Sequence, residues 1–403
     1  MNTIEYYRPS VEDAEGMLAV EKLSFPAPWN LSELRALVFT DPIVFTLGAF
    51  LENKIVGYIS ATFSEPGALH IISVCVHPEY RRFGVASNFL DYAIHWGRHL
   101  KADRVVLEVR ENNKEAQAFY TSCGFEKTEH LADFYPDEDG VKMQKQLLPF
   151  THSIATSLYL ANKLHTIPEV GVILGSGLGW VTKTFGIGQS ISFSDIPGMA
   201  GEAVKGHSHK LQTSGDGKIL FVMGRRHHYQ GYSGREITLL PSALAAIGIG
   251  TWVLTSSAGA VVPEYSVGDS MLFTDHINFS GVIPDVPENF IGFEVYSPSL
   301  KKISESSLLN NHRGVFACVS GPAYETEAEV NLIRESGANA VSMSTAPEAL
   351  ALKSMGCRVL ALALITNAVE SGESVCHEEV LSAQETVKQK QESSLVDLLT
   401  RLT

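Results

Sequence analysis

The stretch VILGSGLGWV, Val172 to Val181, constrains this chain more than any other ten residues. An apolar run enters Gly175-Ser176-Gly177-Leu178-Gly179. A strand that meets closely spaced glycines belongs to an α/β layer, because such a turn lets backbone N–H groups gather round an anion where a helix begins. Asp195 lies twenty residues beyond Gly175, where a dinucleotide-binding crossover wants an acid for its ribose. Two features oppose that reading. Trp180 stands where close helix–strand packing needs a small residue, and the span 181–188 is short and broken by glycines. The loop is expected to hold a free anion instead.

Two basic clusters follow it, KGHSHK (Lys205 to Lys210) and GRRHHYQGY (Gly224 to Tyr232). A fixed cage of cations suits an oxyanion about to attack a carbon. His207, His209, His227 and His228 also raise a metal hydrolase. His-x-His and His-His are not helical i,i+4 ligand pairs, and no nearby carboxylate completes a clear site, so no metal is expected. His209 and His228 read as surface histidines.

At 403 residues the chain exceeds one ordinary core. Strand and helix patterns alternate throughout, which predicts α/β architecture in two domains. The junction is expected near Leu147-Leu148-Pro149-Phe150, giving domains 1–148 and 151–403, with Thr151 or Ser153 capping a new helix. Net charge is −14 and evenly spread: the first 150 residues carry 14 Lys+Arg against 21 Asp+Glu, and the rest 17 against 24. No basic block exists for gripping nucleic acid. The five cysteines are scattered and never form CxxC, and the start MNTIEYYRPSVEDAEG is polar and acidic, so a cytoplasmic protein is expected. Ser242 to Val262 is uncharged, but glycines, Thr251, Ser256 and Ser257 interrupt it. It reads as a short helix, a turn and a buried strand from Trp252, not a membrane span.

In the first half, Leu69 to Val76 reads as a strand stopped by Pro78, followed by the turn Arg81-Arg82-Phe83-Gly84-Val85-Ala86. A helix with Val85, Phe89 and Ala93 on one face comes next. Such a turn aims unpaired N–H groups at an anion. In VVLEVRENNKEAQAFYTSCGF (Val105 to Phe125), Glu108 interrupts an apolar strand, a costly position unless it is paired or functional. Pairing with Arg110 is one reading. Tyr120 lies on the next helix, with Asn112 or Asn113 as its cap.

These two blocks resemble the GNAT N-acetyltransferases, with FPAPW and DFYPDEDG extending the likeness over nearly all of 1–148. The similarity is greatest to bacterial enzymes that acetylate the N-terminal alanine of a small-subunit ribosomal protein. It implies that Arg81, Arg82, Gly84, Ala86 and Asn113 hold acetyl-CoA. It also implies that Glu108 takes a proton from an amine, that Tyr120 returns one to the departing thiolate, and that the acceptor is a protein N-terminus. Asp133-Phe134-Tyr135 carries an acid where the family more often has a neutral residue.

From Thr151 onward, five stretches in order, GSGLG, GRRHHYQGY, GPAYETEAE, VSMSTAPE and LITN, resemble the trimeric purine nucleoside phosphorylases. The likeness implies a twisted mixed sheet flanked by helices, a homotrimer, and orthophosphate as co-substrate. Phosphate would be held by Ser176, Arg225, His227, Ser257 and Ser344, with His207 at the mouth. Ribose would meet Tyr229, Met343, His377 and, from a neighbouring subunit, Phe293. The purine would meet Tyr324, Glu325, Thr366 and Asn367, of which Glu325 and Asn367 ease negative charge out through the base. Gln230 replaces a usual glutamate, Ser256-Ser257 an Asn-Ala pair, and Arg226 an aromatic. A methylthioadenosine phosphorylase is the alternative within the fold, opposed by Asn367 and Glu325. A first half serving only for binding or oligomerisation is the alternative of another class, opposed by Glu108 and Tyr120.

Overall fold

The computed structural model describes residues 4–39, 44–147, 154–199, 208–286, 290, 294–307, 311–368 and 377–403. The chain folds into two compact units, the bulk of the first ending at Ser157 and the bulk of the second beginning at Leu158. The expected junction at 148–151, with its candidate caps Thr151 and Ser153, lies outside the described residues.

The first unit is built on a seven-stranded sheet in the order Glu5–Tyr7, Phe45–Leu51, Lys54–Glu65, Ala68–Val76, Arg104–Arg110, Glu138–Gln146, Glu126–Tyr135. Its single parallel pairing joins Ala68–Val76 to Arg104–Arg110, and only through Ala68↔Arg104, Leu69↔Val105 and His70↔Val106. Beyond that point the ladder stops, so the two strands leave an opening between them. Against Lys54–Glu65, the strand Ala68–Val76 carries a bulge that leaves Ile72 as the extra residue. Pro78 opens a 3-10 turn that ends the strand, as its fixed φ and missing N–H require. Gly84 then sits at φ 79 as N-cap of helix Val85–His99, a conformation that glycine reaches without strain. That helix buries Val85, Phe89, Ala93 and Trp96, the face its spacing predicts.

The second unit carries a nine-stranded mixed sheet in the order Ala338–Ser342, Asn311–Cys318, Ser270–Asn278, Arg358–Ala368, Thr251–Ala260, Val170–Ile173, Ile219–Met223, Lys210–Thr213, Ser190–Ser192. Val170, Val172, Phe221, Val253 and Leu360 are buried in its core, which explains the near-continuous apolar runs of the central strands. Thr251–Ala260 also pairs with Ala338–Ser342 through Gly259↔Val341 and Ala260↔Ala340. Five strands therefore close on themselves at one end of the sheet. At the same end the register of Thr251–Ala260 on Arg358–Ala368 shifts from Ala258↔Ile365 to Gly259↔Asn367, leaving Thr366 extra. This bulge is what brings Thr366 and Asn367 to one place.

The glycine loop leads into a 3-10 turn, Leu178–Trp180, and a single helical turn, Val181–Thr184. The long helix of a dinucleotide crossover is not formed there. Ser242 to Val262 becomes the end of helix Gly234–Ala246 and the buried strand Thr251–Ala260. No helix among the described residues is long and apolar enough to cross a membrane. Cys75, Cys123, Cys318 and Cys357 are free thiols.

Candidate active site

In the second unit, Ser176, His227, Tyr229, Ser257, Tyr324, Glu325, Met343, Thr366 and Asn367 line one pocket at the closed end of the sheet. The glycine loop forms part of its wall. The loop is tied down by Gly175 N–H donating to Thr255 Oγ1 at 3.0 Å and by Ser257 Oγ donating to the Ser176 carbonyl at 3.0 Å. Gly177 has φ 77, and a Cβ there would collide with the side chain of Gln384 from the last helix. At that left-handed φ glycine is the unstrained choice, and the flexible Gln384 side chain folds over it. Ser342, which sequence reading passed over, also lines the pocket and donates to the Ser257 carbonyl at 2.8 Å.

Ser344 lines an adjoining recess, and His227 forms the wall shared with the main pocket. Ser344 precedes Thr345, which is held at φ 82, a strained value for a β-branched residue. The ring of His227 stacks on Tyr229 with centroids 4.9 Å apart. His227 N–H donates to Gln230 Oε1 at 2.9 Å, so the glutamine that replaces the usual acid holds the backbone of His227.

Arg225 lines neither cavity. Its Nε donates to Glu348 Oε1 at 3.2 Å, its Nη1 to the Thr255 carbonyl at 3.0 Å, and its Nη2 lies 3.2 Å from Glu348 Oε2. Both side chains are only 3% exposed, which excludes a solvated surface cation. Nη2 is buried and makes an ion pair but no hydrogen bond, a donor that an anion could take. Glu348 and Thr255 escaped sequence reading. The available signal was an acid inside the apolar helix segment APEALAL, where it is 2% exposed. Arg226 is structural: its Nη2 donates to the Gly198 carbonyl at 2.7 Å and its guanidinium lies over Tyr232.

On the purine side, helix Glu327–Glu335 is capped by Thr326 with Glu329 completing the box, which frees Glu325 from any capping duty. Burial pushes the Glu325 carboxyl up from its ordinary value, with Glu329 adding to the effect. The Thr366 hydroxyl can donate to Asn367 Oδ1 at 3.3 Å or to the Ala258 carbonyl at 3.4 Å; with Oδ1 engaged, the Asn367 amide N–H groups remain as donors in the pocket it lines. His207, Phe293 and the His377 side chain lie outside the described residues; the backbone of His377 starts the last helix. His228 is exposed and donates through Nδ1 to the Tyr232 carbonyl, and His209 packs edge-on against Phe193.

In the first unit, Arg81, Arg82, Gly84, Ala86, Asn113 and Tyr120 line a cleft of about 580 Å³ between the end of strand Ala68–Val76, with the turn after it, and helix Lys114–Ser122. A Cβ at Gly84 would have nothing within 4 Å, so space lies open over the turn. The first N–H of helix Val85–His99 to return to the turn is that of Asn88, on the Gly84 carbonyl. The amides of 85–87 thus face the cleft end as free donors. A coenzyme with a long polar arm fits this arrangement. Asn113 caps its helix by accepting from Ala116 N–H at 3.0 Å. Tyr120 is half-buried at the cleft wall, and loss of solvent there raises its hydroxyl well above the ordinary phenol range.

Glu108 does not line the cleft. It accepts a hydrogen bond from His70 Nε2 at 2.6 Å rather than pairing with Arg110, which instead binds Asp137 and Glu138. Burial raises the Glu108 carboxyl, but His70 and Lys142 outweigh it and the net direction is down. Among the described residues one group could hold a metal ion, the partly exposed Glu111, His130 and Asp139, whose ligand atoms lie within 4.8 Å of one another.

The fold and the main pocket define a phosphorylase-type domain: residues 169–400 match the Phosphorylase superfamily, and residues 14–125 match the Acetyltransferase (GNAT) family. The chain belongs to the purine nucleoside phosphorylases of that superfamily, with a GNAT acetyltransferase domain joined ahead of them. It is 33% identical to purine nucleoside phosphorylase 1 of Bacillus subtilis, over 57% of this chain and 91% of that protein. It is 34% identical to the Geobacillus stearothermophilus enzyme of the same name, over 57% of this chain and 90% of that protein. Purine nucleoside phosphorylase of Bos taurus matches at 35%, over 59% of this chain and 90% of that protein.

Proposed function

We propose that the second unit cleaves 6-oxopurine nucleosides, inosine, guanosine and their deoxy forms, with orthophosphate, releasing the purine and ribose 1-phosphate. The carrying observation is the Thr366–Asn367 hydrogen bond. It leaves Asn367 a donor, suited to O6 and N7 of a 6-oxopurine, while Glu325 offers an acceptor for the ring N1–H. Adenine presents a donor and a lone pair at those positions, so two buried polar groups would go unpaired. Breaking the ribosyl bond makes a cationic sugar and a purine gathering negative charge. Phosphate held by Ser176, His227, Ser257, Ser344 and the Nη2 of Arg225 stabilises the cation from below and captures it. By the resemblance, His207 would lie at the mouth over the anion; Tyr229, Met343 and His377 would meet the ribose, with Phe293 from a neighbouring copy in a homotrimer, and Tyr324 would lie against the base. The site operates in the cytoplasm.

The test is kcat/KM for inosine and adenosine in the unmodified protein and in Asn367→Asp. Inosine should be strongly preferred, and the aspartate should narrow the ratio by accepting from a 6-amino group. Equal preference in the unmodified enzyme, or an unmoved ratio, removes Asn367 from the purine site.

The first unit is proposed to transfer acetyl from acetyl-CoA to an amine, probed first as a protein N-terminus. Bound acetyl-CoA would supply an acetyl group on a thiol leaving group. The amides of 85–87, with Arg81, Arg82, Ala86 and Asn113 around them, would hold its pyrophosphate, and Gly84 leaves the room. Tyr120, kept protonated by burial, holds a proton for the leaving sulfur. Glu108 belongs to the proton-accepting side.

A further inference from the structure

We propose that His70 is the group that takes the amine's proton in the acetyltransferase site and that Glu108 orients it, an inference that rests on the acetylation proposed above. His70 and Glu108 meet where the two parallel strands cease to pair: His70↔Val106 is the last rung, and Glu108 lies two residues past it. The pair therefore sits where the strands part, and neither side chain lines the cleft of the coenzyme arm itself. His70, Ile72 and Val74 form the less buried face of their strand, and Val74 lines the cleft. Ile72 is the bulged residue, so the strand bends between His70 and the cleft wall.

The hydrogen bond assigns the roles. Because His70 Nε2–H donates to Glu108 Oε2, the neutral imidazole carries its lone pair on Nδ1, away from the carboxylate. The His70 side chain is 28% exposed and that of Glu108 17%, so the imidazole is the partner an incoming amine meets first. A carboxylate held below its ordinary range is also a poor proton acceptor for an ammonium. The proton passes from the α-ammonium to Nδ1, freeing the nitrogen lone pair to form the N–C bond; as the C–S bond breaks the sulfur takes the Tyr120 proton, the second proton of the attacking nitrogen returns to the Tyr120 oxygen, and Glu108 stabilises the imidazolium. The other titratable and charged groups facing the pair are Lys142, directly across the sheet from Glu108, and Tyr135, whose hydroxyl feels the Glu108 charge.

The full chain is assayed with acetyl-CoA and a mixture of hexapeptides bearing free N-terminal Ala, Ser, Gly or Met, as unmodified protein, His70→Gln and Glu108→Gln. Acetyl-CoA affinity by calorimetry and the His70 imidazole titration by NMR are followed alongside. His70→Gln should lower kcat by about 10²-fold and abolish the acid limb of its pH profile, with acetyl-CoA affinity unchanged. Glu108→Gln should keep the limb but move it to lower pH, in step with the imidazole titration, since a lost carboxylate makes the ring less basic. His70→Asn is the second variant where glutamine disturbs coenzyme affinity. Retention of kcat within about threefold in both His70 variants, with Glu108→Gln inactive, makes Glu108 the base and overturns the inference. An imidazole titration indifferent to Glu108→Gln overturns the pairing. No transfer by the unmodified protein, with acetyl-CoA bound, overturns the acetylation reading itself.

Discussion

In the proposed phosphorylase site the residue-scale chemistry would fall to Asn367 and Glu325, with the buried Arg225–Glu348 pair behind them. Glu325 must be ionised to accept the purine N1–H, and burial raises its carboxyl. The acid limb of kcat/KM for inosine should therefore lie above the ordinary carboxylate range, and Glu325→Gln should flatten it. A limb unmoved by that change assigns it to another group. Glu348→Ala would leave the Arg225 guanidinium buried and uncompensated, which costs about 3–5 kcal/mol, read as a lowered denaturation midpoint. Added phosphate should recover part of that loss if Nη2 meets the anion, and recovery no greater than in the unmodified protein would separate Arg225 from phosphate. Asn367 was legible in the sequence because it follows the apolar run Val359 to Ile365, and Glu325 only through the motif GPAYETEAE. Glu348 and His70 were not, because their partners lie 123 and 38 residues away: helix Ala346–Ser354 carries Glu348 to the loop that holds Arg225, and strand register sets His70 beside Glu108.

At the scale of elements, two short devices do most of the positioning. One is the turn into helix Val85–His99. Gly84→Trp should abolish acetyl-CoA binding, since the residue has a left-handed φ and open space above it that the indole would fill. Calorimetry checks this, with inosine phosphorolysis as the control that should not change; intact binding would place the pyrophosphate elsewhere. The other is the cap of helix Glu327–Glu335. Thr326→Ala should cost about 1 kcal/mol of stability, whereas Glu325→Ala should cost none, because Thr326 and Glu329 make the capping box. Equal losses would return Glu325 to a purely structural role. That the glycine loop opens no dinucleotide crossover was readable from Trp180 and the short following segment, and the single turn Val181–Thr184 agrees. The closure of five strands and the bulge at Thr366 were not readable, since register is set by pairing between distant strands.

At the scale of the whole molecule, the chain joins a phosphorylase domain to an acetyltransferase domain whose reactions share no intermediate. Variants in one are expected to leave the kinetics of the other unchanged. The order of two α/β units was visible from alternating patterns and from five motifs in sequence, while the exact junction at 148–151 lies outside the described residues. The homotrimer is checked by light scattering of the full chain, where a monomer at working concentration would remove the shared Phe293. The central claim is that the pocket around Ser176, His227, Glu325 and Asn367 uses orthophosphate as its nucleophile. It is tested most directly by incubating the full chain with inosine, with and without phosphate, and measuring hypoxanthine and ribose 1-phosphate. Hypoxanthine should appear only with phosphate and in equal amount to ribose 1-phosphate; release that ignores phosphate and yields free ribose would mark a hydrolase and contradict the account.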